Sequence, residues 1–195
     1  METEEKMMTG EESLRIISEM LTKTRVNFRQ GSFHLLFWGW LIVICSLTEY
    51  LLSMFTESVH SYYAWFLVIP GAFVSMTYGI VSGRKLKVHT YADSVWMWTW
   101  IGFLIAMIVL FVIHSKSMET ISPYILLLVG FPTFVSGVII KFRPLIIGGL
   151  CFWIFTLVVS FGGPTLGPLG VPVAMIIGYL IPGYMLKNKV DHDAI

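Results

Sequence analysis

The stretch SVWMWTWIGFLIAMIVLFVI, Ser94 to Ile113, runs for twenty residues without a charge or a proline. A bilayer core of about 30 Å is crossed by ~20 helical residues, so a run of this length and composition reads as a transmembrane helix. Five more apolar runs follow from the same criterion. They lie roughly at Ser32–Met54, Ser61–Val81, Ser122–Ile140, Pro144–Phe161 and Val171–Leu186. None alternates with the short period of a barrel strand. Overall 56% of the 195 residues are hydrophobic and 13% charged, against about 25% charged in soluble domains. The expected fold is an all-α integral membrane protein of six helices arranged as three hairpins, preceded by an amphipathic helix.

The charges orient it. Of thirteen Lys and Arg residues, twelve lie before the first run, after each even run or in the tail; Lys116 alone lies on the other face. Short loops rich in Lys and Arg stay in the cytoplasm. Both termini are therefore expected inside, with three outward hairpins. In a bacterial host the location is the inner membrane. Three regions are expected: a cytoplasmic segment at 1–30, the six-helix domain at 31–187, and a short tail at 188–195. Within the first, Leu14, Ile17, Leu21 and Phe28 share a helical face, and Thr9 with Glu12 fits a capping box. This helix is expected to lie on the lipid interface or on protein. No removable signal peptide is expected.

A weak repeat runs through the hairpins. Helix 1 carries FWGW at Phe37–Trp40 and helix 3 carries MWTW at Met97–Trp100, sixty positions on. The even helices carry Pro70, Pro132 and Pro182. Transporters are often built from repeats with broken helices at the substrate site, although Pro is common in membrane helices generally. Helix 2 also carries Gly71, Ser75, Gly79 and Gly83 at four-residue spacing. Such a stripe serves close packing of helices, inside the chain or as a homo-oligomer seam. The even helices are expected to form the inner layer.

Glu49 is the one acidic residue well inside an expected span, ~9 Å from the midplane toward the outer face. An intramembrane carboxylate is a functional candidate by default. Trp38 and Trp40 point about 200° apart on a helix, as do Trp98 and Trp100, so some indoles enter the bundle. Trp38 and Trp100 are candidates to wall a ligand pocket; the other aromatics fit an interfacial belt. Asp93 reads as a helix cap and His34 as an interfacial polar group. His60, His89 and His114 fall on opposite faces, and no zinc spacing exists. Cys45 and Cys151 read as small buried hydrophobes. No nucleophile has a base beside it, so no enzymatic activity, metal or cofactor is expected. SGRKLK is explained by orientation, so no nucleic acid is expected. FGGPTLGPLGVP, Phe161–Pro172, reads as an external loop.

Two functions fit. One is a transporter or channel for a small neutral or apolar solute, with Glu49 coupling and Pro70, Pro132 and Pro182 as breaks. The other is a non-enzymatic assembly subunit or sensor working through protein contacts. Partners are membrane lipid, a small-molecule ligand in the first case, and a second copy through the helix 2 stripe in the other.

Overall fold

The computed structural model describes residues 10–55, 61–83, 91–115 and 121–192, with side chains at 31–55, 63–81, 91–115, 121–163 and 169–189. Every regular element among them is helical: α1 (Gly10–Phe55), a 3-10 helix (Ser61–Leu67) running into α2 (Val68–Gly83), α3 (Tyr91–Ile113), α4 (Ser122–Ile139), α5 (Arg143–Phe161), α6 (Gly163–Met175), a π-helical turn (Ile176–Leu180) and α7 (Ile181–His192). Six segments are long and apolar enough to cross a membrane: Gly31–Phe55, Tyr63–Val81, Tyr91–Ile113, Ser122–Ile139, Arg143–Phe161 and Leu169–Lys189. They are spans 1 to 6 below. The chain is compatible with a multi-pass membrane protein.

Span 6 is the centre. It packs on span 1 at one side and on span 5 at the other. Span 2 lies outside span 1, span 4 outside span 5, and span 3 outside span 4. The spatial order is thus 3-4-5-6-1-2. The buried core reflects it, with Leu35 and Val43 from span 1, Leu126 from span 4, Phe152 from span 5, and Ala174, Tyr179 and Leu186 from span 6. Spans 1 and 6 run antiparallel, Gly31 lying against Leu186 and Gly39 against Leu180.

Three expectations change here. The even helices do not all lie inside, because span 2 is peripheral and span 6 alone is mostly buried. The Gly- and Pro-rich stretch at Phe161–Pro172 is not a loop but helix from Gly163 onward. Proline stands at the first turn of α6, where a missing N–H breaks no bond, and Gly163 reverses the chain with φ of 68°, a conformation a side chain disfavours. The amphipathic segment is not a separate element either. The helix is continuous from Gly10 to Phe55, so the segment prolongs span 1 without a turn. The capping residue Thr9 lies outside the described residues. The small-residue stripe of span 2 packs within the chain, one of the two uses expected of it. Gly71 is buried under Leu41 and Phe37, Gly79 lies near His34, and Ser75 is covered. Gly83 lies outside the described side chains.

The turn between α4 and α5 is tight. Phe142 N–H reaches the Gly137 carbonyl at 2.9 Å and Lys141 N–H the Val138 carbonyl at 3.1 Å, while Lys141 takes a positive φ of 52°. This is a Schellman closure with a lysine in the left-handed position where glycine is usual.

Candidate functional site

Glu49 stands near the Phe55 end of span 1, facing the 3-10 helix. The Trp65 indole N–H donates to its Oε2 at 2.7 Å, in the range of charge-assisted bonds. One turn back, the Cys45 thiol donates to the Ala64 carbonyl at 3.2 Å. Cys45 and Glu49 are four apart and share a face. Together they hold the 3-10 helix against α1. The carboxylate is half-buried and its observed role is a tie between spans 1 and 2.

Trp38 and Trp100 have matching roles. Trp38 Nε1–H donates to Ser75 Oγ at 3.1 Å, from span 1 to span 2. Trp100 Nε1–H donates to Ser136 Oγ at 3.2 Å, from span 3 to span 4. Both rings pack on the core. An indole turned into a bundle needs an acceptor, and each finds a buried serine on its hairpin partner. Trp40 donates instead to the Tyr184 hydroxyl on span 6 at 3.1 Å. Trp98 is exposed.

The prolines differ from one another. Pro70 sits in the first turn of α2 just past the 3-10 helix, where its missing N–H is tolerated. Pro132 is buried inside α4. The backbone around it gains side-chain partners, as broken membrane helices require. Trp153 Nε1–H of α5 donates to the Leu127 carbonyl at 3.2 Å, and Thr133 Oγ1–H donates to the Val129 carbonyl at 2.7 Å. Gly130 makes room for that indole, since a Cβ there would fall 2.6 Å from Trp153 Nε1.

Pro182 follows the π turn in span 6, where Ile181 N–H bonds the Ile176 carbonyl five residues back. Proline 182 offers no N–H to the Gly178 carbonyl. That oxygen lies against Gly148 of α5, where a Cβ would come within 2.6 Å of it. Beside it stands the fully buried Phe152, edge-on to Tyr179 at 5.2 Å. The Tyr179 hydroxyl is 3.2 Å from Thr133 Oγ1. Thr133 has one proton, already on the closer Val129 carbonyl, so Tyr179 is the donor. The result is a buried relay from Tyr179 to Thr133 to the backbone of α4, ending on a carbonyl.

These groups do not converge. Glu49 is eleven residues along α1 from Trp38, about 16 Å of helix rise. A recess of about 220 Å3 between α3 and α4, lined by Ala106, Val109, Leu110, Ile113, Tyr124, Leu127 and Leu128, contains none of them. No cluster with metal-ligating potential exists among the described residues. His60 and His89 lie outside them.

Sequence reading missed Tyr179, Trp65 and Trp153 as partners. Tyr179 could have been suspected as a polar tip three residues before Pro182, and Trp153 as the nearest donor one helix on from Pro132. No protein-family model, curated protein or solved structure matches the chain.

Proposed function

We propose that the chain is a non-enzymatic membrane assembly subunit, acting through helix–helix contacts within the bilayer. The observation that supports this most is the close packing of the centre. Gly148 meets the Gly178 backbone, Phe152 and Tyr179 fill the space beside it, and the hydroxyl relay ends on the α4 backbone. Glu49, the natural coupling group for transport, is engaged by Trp65 at the edge of the bundle. The charge asymmetry supports a reading with both termini in the cytoplasm and, in a bacterial host, the inner membrane as the location. The neighbouring positions of Gly31 and Leu186 agree with ends on one face. Extraction in native-lipid polymer discs followed by mass measurement tests the proposal. The expected particle contains more protein than one 22.1 kDa chain; a particle holding a single chain sinks it.

One observation favours the transport reading as runner-up. The π turn and Pro182 interrupt the central span, and broken central helices are where transporters hold substrates. Thermal stability across a panel of small neutral solutes, in wild type and Glu49→Gln, separates the two. A solute that stabilises wild type but not the variant would favour transport.

A further inference from the structure

The two indole–serine contacts match closely in sequence as well as in role. LVIPGAFVS at 67–75 and LVGFPTFVS at 128–136 share Leu, Val, Phe, Val and Ser at the same positions. Ser75 and Ser136 are the last residues of the pair, sixty-one positions apart. Their donors Trp38 and Trp100 are sixty-two apart, and each indole lies 37 or 36 residues before its serine. The register is therefore two longer than matching FWGW to MWTW gives. Spans 1–2 and spans 3–4 read as two copies of one hairpin that carry the same latch.

The spatial order 3-4-5-6-1-2 then has a plain meaning. Each hairpin follows the last in the same sense, an even span meeting the next odd one. Two such junctions are built, 4 on 5 and 6 on 1. Spans 2 and 3 share no extended face among the described residues, so the third is open.

The equivalent positions show what the open faces resemble. At the 4–5 junction, span 4 meets α5 through Gly130, Phe134 and Gly137. Shifted by sixty-one, these are Ile69, Phe73 and Met76, which are 54%, 67% and 65% exposed. At the 6–1 junction, span 1 meets span 6 through Leu35, Leu36 and Gly39. Shifted by sixty-two, these are Met97, Trp98 and Ile101, and Trp98 is 63% exposed. The outer faces of spans 2 and 3 thus occupy the register of faces buried elsewhere in the fold, with Ile69, Met76 and Ile101 standing where the built junctions have Gly130, Gly137 and Gly39.

We infer that a second copy of this chain closes the open junction, span 2 of each copy packing on span 3 of the other around a two-fold axis along the membrane normal. Span 2 on span 3 is a contact between unlike surfaces, made once at each end of the pair of rows, and a half-turn between the copies closes it at two. It differs from the small-residue stripe of span 2, which span 1 covers. The inference rests on the assembly reading and names its partner.

Matched depth puts Met76 opposite Trp98, because Ser75 and Trp100 each stand at the level of a latch. Chains with Cys45 and Cys151 replaced by alanine carry Met76→Cys under one tag and Trp98→Cys under another. Co-expressed and treated with a short bismaleimide in native membranes, they are expected to give a dimer bearing both tags. Ile154→Cys, on the exposed side of span 5, should not replace either partner. Linkage no better than with Ile154→Cys overturns the inference, as does linkage confined to one chain in the Met76→Cys/Trp98→Cys double variant. In that event the particle mass discriminates: a larger complex preserves the assembly reading with a different face, whereas a single chain removes both.

Discussion

Thr133 and Tyr179 form an unequal pair, and the inequality can be measured. Tyr179→Phe removes a donor but leaves the Thr133 proton on the Val129 carbonyl. Little buried bonding is orphaned, so stability should change by under ~1 kcal/mol. Thr133→Val strands the tyrosine hydroxyl in the core and is expected to cost roughly 1–3 kcal/mol. Denaturant titration in detergent should rank Thr133→Val well below Tyr179→Phe; the reverse order would refute the donor assignment. A similar contrast holds among the tryptophans. Trp100→Phe loses the bond to Ser136, an effect of about 1 kcal/mol for a bond inside a membrane protein. Trp98→Phe removes no bond of this kind, and its melting temperature in detergent should match wild type. The sequence set Trp100 apart from Trp98 as an inward candidate; the serine it reaches was not legible, because a facing residue is a property of the neighbouring helix.

At the scale of elements, helix ends and close approaches carry the specificity. Lys141 holds a left-handed conformation that costs an ordinary residue about 1 kcal/mol. Lys141→Gly should raise stability by about that amount, read from the thermal midpoint. Gly148→Ala should act in the opposite sense. Its Cβ meets the Gly178 carbonyl, a backbone atom that cannot rotate away, and overpacking of this kind costs roughly 1–3 kcal/mol. A Gly148→Ala protein as stable as wild type would mean that α5 and span 6 are not in backbone contact. The six spans were legible because length and apolarity suffice to identify them. The helix at Gly163–Met175 was not. Its glycines and prolines read as turn signals, yet Pro at a first helical turn and Gly at a close approach both suit a membrane helix. Glu49 was legible as unusual. Its engagement with Trp65 was not, because the 3-10 helix that presents that indole leaves no mark in the pattern of apolar residues.

For the whole molecule, topology and neighbour order separate cleanly. The proposed topology rests on charge, and cysteine labelling checks it. In whole cells or sealed spheroplasts, Lys116→Cys should react with an impermeant maleimide, while Lys87→Cys and Lys189→Cys should react only after the membrane is opened. Labelling of either of the last two from outside would reverse or break the three-hairpin plan. Neighbour order had no such signal. In lipid the apolar surface of one span resembles that of any other, so adjacency is decided by shape and a few polar atoms. The order 3-4-5-6-1-2 rests on such details: the glycines between α4 and α5, Gly39 beneath Leu180, and Trp40 on Tyr184.

The contact of Gly31 with Leu186 joins the beginning of the membrane domain to its end. A ribosome delivers span 1 first and span 6 last, so span 1 waits in the bilayer through the synthesis of some 130 residues before its main neighbour arrives. During that interval its contacts with span 2, the Trp38–Ser75, Glu49–Trp65 and Cys45–Ala64 bonds among them, are open to it. The two hairpins at the ends of the row can form as they emerge, but the core is closed by the last helix made. A chain cut short before span 6 leaves the ribosome with its centre missing rather than its edge.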